Sequence, residues 1–194
     1  PPLATEAPPP PPTDPPAPES DLPDVDLASW ELVLVNQENN IGEYIPELSP
    51  AENGQQFDTR ALGALENFIA AAREQGLSVV LSSTYRDYAT QRYLYDRKVS
   101  EYGAETAKTI VSPPGTSEHQ LGLAADITGQ YYEYKNASLA ETALYKWMSA
   151  NCAEYGFIVR YPQDKTEITG VMFEPWHFRY VGVEAAKYIM EKGI

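Results

Sequence analysis

Cysteine occurs once and histidine twice in this chain of 194 residues, and no lysine or arginine precedes Arg60. The lone Cys152 excludes an intrachain disulfide and says little about compartment; its expected role is a small buried apolar group on a helix. No apolar run approaches the roughly 18–20 residues that a spanning helix requires, so no transmembrane segment is expected. Residues 1–59 hold twelve acidic residues, whereas residues 60–194 hold sixteen against fourteen basic ones, so the net charge of −14 divides as −12 and −2. A C-terminal part this close to neutral, with no basic cluster, offers no footprint for a phosphate backbone and argues against nucleic acid as a partner.

What the chain has in excess is proline, placed at one end: residues 1–23 hold eleven of the seventeen. A segment so poor in large apolar residues cannot bury enough surface to fold, and it reads as a polyproline-like spacer of about 3 Å per residue where extended. Residues 1–26 are therefore expected to form a disordered, acidic, Pro-rich stalk and residues 27–194 a single domain. With 43% apolar and 11% aromatic residues, the chain can build a core of that size.

Within the domain, Glu31–Val35 reads as a strand and residues 36–50 as an irregular loop. Leu62, Leu65, Phe68, Ile69 and Ala72 recur at helical spacing, with Asp58 or Thr59 as the cap and Gly76 as the terminator. Val79-Val80-Leu81 begins a buried strand that runs into Ser82-Ser83, Asp87 opens a second helix that Gly103 ends, and Ala104–Ile110 forms a third. Ser138-Leu139-Ala140-Glu141 reads as a capping box for a helix carrying Leu144, Trp147 and Met148 and closed by Gly156. Phe157 to Tyr161 resumes as strand, and Gly182 to Gly193 is a terminal amphipathic helix. Helices and short strands in this irregular order predict an α+β fold, a single domain with a small, mostly antiparallel sheet flanked by helices.

Both histidines sit in segments that read as halves of a metal site. The first is Ser117-Glu118-His119-Gln120-Leu121-Gly122-Leu123-Ala124-Ala125-Asp126; the second is Glu174-Pro175-Trp176-His177. Two His and one Asp would supply three ligands to a divalent cation and leave one position open for water, the pattern of a catalytic rather than a structural zinc. Taken as a strand, Gly122 to Asp126 places Leu121, Leu123, Ala125 and Ile127 on a core face, and Gly122, Ala124 and Asp126 on a bare one where an ion and a substrate could approach. Pro175 frees Glu174 and His177 from strict alternation, so both can face the site. Glu174 is then the expected general base, and Trp176 a packing residue that forms a wall.

The order of these pieces, joined by Ser83-Thr84-Tyr85-Arg86 with Gln91, by Tyr155-Gly156-Phe157 and by Arg160-Tyr161-Pro162, resembles the VanY-type zinc carboxypeptidases from about Trp30 to the C-terminus. That family includes D,D- and L,D-carboxypeptidases of bacterial peptidoglycan and is related in fold to the N-terminal signalling domain of Hedgehog proteins. The resemblance implies Zn2+ held by His119, Asp126 and His177, Glu174 as catalytic base, and Arg86 clamping the substrate's terminal carboxylate with help from Gln91 and Ser117. It implies an enzyme, secreted or tethered to the bacterial surface through a segment ahead of Pro1, that trims D-alanine from peptidoglycan stem peptides; nothing in the sequence points to a partner protein, and a monomer is expected. The stretch Leu32-Val33-Leu34-Val35-Asn36 and the acidic loop after it lean toward L,D activity on tetrapeptides, with D,D activity on pentapeptides as the alternative. A zinc-containing binding module without turnover is the rival from another class.

Overall fold

The computed structural model describes residues 22–132 and 135–194; the expected stalk lies, through residue 21, outside the described residues. A short antiparallel hairpin pairs β1 (Leu48–Pro50) with β2 (Gln56–Asp58). Helix α1 (Leu62–Glu74) follows, then β3 (Val80–Ser83), α2 (Tyr88–Tyr102), α3 (Ala104–Ile110) and β4 (Ala124–Thr128). The chain continues through α4 (Ala143–Asn151), β5 (Phe157–Val159), the single turn α5 (Thr166–Thr169), β6 (His177–Tyr180) and α6 (Val183–Lys192). The main sheet has the order β3-β4-β6-β5 and is antiparallel throughout. The expected α+β domain on a small antiparallel sheet is therefore the fold found.

Helix α1 forms because its apolar residues fall on one stripe: Leu65, Phe68, Ile69 and Ala72 are buried against the sheet. Phe68 is the hub of the core, with ring centroids 5.3 Å from Phe157, 5.4 Å from Tyr155 and 5.5 Å from Phe178. Removing that ring leaves a void among rigid aromatic neighbours, so Phe68→Ala should cost about 3–5 kcal/mol, read as a lower urea midpoint at unchanged slope. A loss below 1 kcal/mol would mean that the core collapses to fill the space.

Three local expectations are overturned. Glu31–Val35 is not a strand: Trp30–Leu32 is a 3-10 turn, Trp30 stacks on Tyr180, and the Glu31 and Val33 carbonyls accept from the Arg179 guanidinium instead of a neighbouring strand. Neither Asp58 nor Thr59 caps α1. The Asp58 carboxylate accepts from Arg60 N–H, Nε and Nη2, Thr59 Oγ1 donates to the Glu47 carbonyl, and the helix begins at Leu62. The Ser138 capping box is not built either, because two other caps divide that segment. The Asn136 side chain accepts from Ser138 N–H ahead of a 3-10 turn, Ala137–Glu141, and Thr142 Oγ1 accepts from Tyr145 N–H to start α4.

By contrast, Asp87 accepts from Thr90 N–H and opens α2, and Gly103, at φ 80°, ends it as expected. Cys152 is fully buried at the end of α4, where burial pushes its thiol up to about 12. No helix among the described residues is long and apolar enough to cross a membrane.

Candidate active site

The sheet register places two of the acid and imidazole groups side by side. Asp126 of β4 is the direct partner of His177 of β6, and across the other edge of β4 it is paired with Ser83 at the end of β3. Side chains of directly opposed residues share a face, so Asp126 and His177 meet over the centre of the sheet. His119 arrives from the 3-10 turn Glu118–Leu121, which stops because Gly122 takes the left-handed conformation at φ 69°. The ends of β3 and of this turn are tied together, with Arg86 N–H donating to the His119 carbonyl.

The bare face expected beside Asp126 is occupied. A Cβ on Gly122 would lie 3.1 Å from the Asp58 backbone nitrogen of β2, so this glycine admits the close hairpin rather than a substrate. Ala124 is paired directly with Arg179, whose buried guanidinium fills the space above the sheet. Of the three small or acidic positions, only Asp126 lines the cleft.

His119 Nε2 and His177 Nδ1 each lie 3.4 Å from Asp126 Oδ1, and one ligand atom from each of the three residues falls within 4.8 Å of the others. Neighbouring ligands of a tetrahedral zinc with bonds of about 2.0–2.2 Å stand about 3.3–3.5 Å apart, so the spacing fits that ion. Asp126 Oδ1 accepts no hydrogen bond from the described residues although it is buried, as an atom reserved for a cation would be. The remaining ring nitrogens are spoken for: His119 Nδ1 is 2.6 Å from the Thr84 carbonyl and His177 Nε2 is 3.3 Å from Glu118 Oε2. A donated N–H on that side leaves the lone pair of each ring pointing at the ligand cluster.

Electrostatics divide the two rings. Burial, opposed by Asp126 and reinforced by Arg86, lowers His119 to about 4. Burial also works against charge on His177, but the Asp126 and Glu118 carboxylates beside it outweigh that and lift it to about 9. Asp126 is pushed up by burial and brought well below the ordinary carboxylate range by His119, His177 and Lys135, whose ammonium contacts Oδ2. Glu174 moves the other way. Burial first and the Asp126 charge second raise its pKa, against the pull of His177, Lys135 and Arg86. Its Oε2 is 3.4 Å from His177 Nδ1, held there by a turn in which His177 N–H donates to the Glu174 carbonyl.

Arg86, Gln91, Ser117 and Glu174 line the same cleft of about 260 Å3 as the His and Asp cluster, with Trp176 and Tyr161 among its walls. Arg86 Nη1 donates to Gln91 Oε1 at 2.9 Å and Nη2 to Ser83 Oγ at 3.3 Å, while Gln91 Nε2 donates to the Ser112 carbonyl at 2.6 Å. Gln91 is fully buried and spends its amide on Arg86 and Ser112, so it fixes the guanidinium. Arg86 itself pairs with no carboxylate among the described residues, although burial lowers its pKa against the pull of Asp126 and Glu174. Every residue singled out from the sequence thus converges on one cleft.

Sequence reasoning missed Glu118, Arg160, Arg179 and Lys135. Glu118 Oε1 accepts from Arg160 Nε at 2.6 Å and lies 3.2 Å from Arg179 Nη1, a buried charge cluster directly behind His177. A signal was present: Arg160 and Arg179 interrupt apolar strand stretches, and arginine buried in a strand needs an anion. Lys135 gave no such signal, because a lone lysine usually faces solvent.

Comparison with known proteins agrees with this geometry. The VanY family, described as D-alanyl-D-alanine carboxypeptidase, matches residues 54–183. A D-alanyl-D-alanine carboxypeptidase of Enterococcus faecalis is 42% identical over 87% of the chain and 65% of its own length. The chain therefore spans just under two thirds of that curated relative. A variant of the vancomycin-resistance D,D-pentapeptidase VanY, solved in complex with Zn(II), superposes at a TM-score of 0.76 with 42% identity, covering 86% of this chain and 96% of the other. The LD-carboxypeptidase LdcB superposes at 0.74 with 35% identity, covering 84% and 82%.

Proposed function

The chain belongs to the VanY family of D-alanyl-D-alanine carboxypeptidases, and from that membership we propose that it is a zinc-dependent enzyme removing the C-terminal D-alanine from peptidoglycan stem peptides. The observation that carries this reading is Arg86, a largely buried guanidinium without an anionic partner among the described residues, on the wall of the cleft that holds the His and Asp cluster. An unpaired buried cation is costly unless a ligand supplies the charge, and a guanidinium fork suits a terminal carboxylate in bidentate fashion. An exopeptidase needs that recognition; an endopeptidase does not.

His119, Asp126 and His177 would hold Zn2+, which acidifies a coordinated water and polarises the scissile carbonyl. Arg86, steadied by Gln91 and Ser83, holds the substrate carboxylate, with Ser117 beside it, and so sets the last peptide bond over the cluster. Glu174 takes a proton from the attacking water as its oxygen bonds the carbonyl carbon. The same carboxyl then gives that proton to the departing nitrogen as the C–N bond breaks, releasing free D-alanine. Its raised pKa suits both halves of the transfer.

Of the two bonds we favour D-Ala-D-Ala. Relatives named for D,D activity match at 42% identity, against 35% for LdcB. The lean toward L,D activity rests on residues 32–36 and the acidic loop after them, and neither stretch forms part of the cleft wall; two carbonyls in and beside residues 32–36 instead receive Arg179. A site of action outside the cytoplasm, with residues 1–26 as a spacer, belongs to the same proposal because peptidoglycan lies there.

Mass spectrometry of mixed synthetic tetrapeptide and pentapeptide stems, with and without a chelator, tests it. The expected result is loss of one alanine from the pentapeptide, abolished by chelation and restored by zinc. Loss from the tetrapeptide alone would make the enzyme L,D-specific, and loss from neither would place the chain among zinc-containing binding modules.

A further inference from the structure

We propose that Glu118 is a positioning residue that fixes the ring and the tautomer of His177 for metal binding, and that it is held in place by Arg160 and Arg179. The proposal rests on the reading of His119, Asp126 and His177 as the metal ligands. Glu118 is 2% exposed and lines the cleft beside His177, where its two oxygens do different work. Oε1 is taken by the guanidiniums, Arg160 Nε at 2.6 Å and Arg179 Nη1 at 3.2 Å. Oε2 is left for His177 Nε2 at 3.3 Å, so that Nδ1, on the other side of the ring, faces Asp126 and Glu174.

An imidazole can ligate through Nδ1 only while its proton sits on Nε2, and an acceptor fixed at Nε2 selects that tautomer before the ion arrives. The two arginines serve this arrangement by orienting the carboxylate so that Oε2 faces the ring. Arg179 is itself immobilised, with Nε donating to the Tyr180 carbonyl at 2.9 Å and Nη2 to the carbonyls of Glu31 and Val33 at 2.9 and 3.0 Å. The backbone ahead of β1 is thereby linked, through Arg179 and Glu118, to a metal ligand. Tyr161 packs against the same imidazole with centroids 4.8 Å apart, which limits ring tilt but supplies no acceptor at Nε2.

Glu118→Gln gives a direct test. Its one carbonyl oxygen would turn to the arginines, placing an amide donor against His177 Nε2 and favouring the wrong tautomer. Zinc affinity of the folded protein, measured by competition with a chromophoric chelator well below the melting temperature, should fall about 10- to 100-fold. Long-range proton–nitrogen spectra of the metal-free protein should show the proton of the neutral His177 ring moved from Nε2 to Nδ1; with two histidines in the chain, assignment is simple. If Glu118→Gln does not fold, Glu118→Asp keeps the charge and the arginine pairs but shortens the reach to His177, and it should weaken zinc in the same direction. A merely structural Glu118 would lower the melting temperature and leave both the zinc Kd and the tautomer unchanged, which overturns the proposal. Absence of zinc binding in the unsubstituted protein would instead sink the underlying ligand assignment.

Discussion

Glu174→Ala is expected to lose about a thousandfold in kcat toward stem peptides, the range of a positioned general acid–base group, while zinc content stays at the unsubstituted level. The separation of the two readouts follows from position. Glu174 contributes none of the three ligand atoms, which lie within 4.8 Å of one another, yet its carboxylate stands 3.4 Å from His177 Nδ1 on the cleft side. Glu174→Gln should be nearly as slow, since an amide of the same shape cannot accept the proton. Single-turnover rates on a pentapeptide stem, with metal content measured on the same samples, decide the matter. An unchanged rate would remove Glu174 from the mechanism, and lost zinc would make it a ligand or a support of one.

Arg86→Ala should reduce kcat/KM by roughly 30-fold to several thousandfold, since truncating one partner of a buried, hydrogen-bonded charge pair costs about 2–5 kcal/mol. Arg86→Lys should recover only part of this, because an ammonium keeps the charge but loses the planar fork. The sharper measurement is a cycle. Amidating the substrate's C-terminus should cost the unsubstituted enzyme about as much as Arg86→Ala does, and the two changes together should cost little more than either alone. Full additivity would mean that Arg86 acts on something other than the terminal carboxylate.

The chemistry of this protein was far more legible in its sequence than its supports were. His119, Asp126, Glu174 and His177 stood out because rare residue types fell into two tight clusters, and Arg86, Gln91 and Ser117 followed from the motifs around them; all line one cleft. Amphipathic period and glycine placement located α2, α3 and α6 to within a residue or so, and α1 by its apolar stripe though not by its start. What failed were local choices settled by distant partners. Glu31–Val35 has strand composition but gives carbonyls to Arg179, about 150 residues away, and Asp58 looks like a cap but pairs with Arg60. Gly122 and Ala124 looked like room for a ligand because their smallness was visible and the hairpin and arginine that fill the space were not.

The opposition of Asp126 and His177 across β4 and β6 also bears on how the chain reaches its native pairing. A one-residue slip between two strands turns every side chain of one of them to the opposite face. Such a slip would leave aspartate and imidazole on different sides of the sheet, unable to share an ion. Zinc therefore discriminates between correctly and incorrectly paired sheets and stabilises the former in proportion to its free concentration. Bound at this site, the cation would act as a proofreader of assembly, and refolding yield should rise with added zinc even before any peptide is offered.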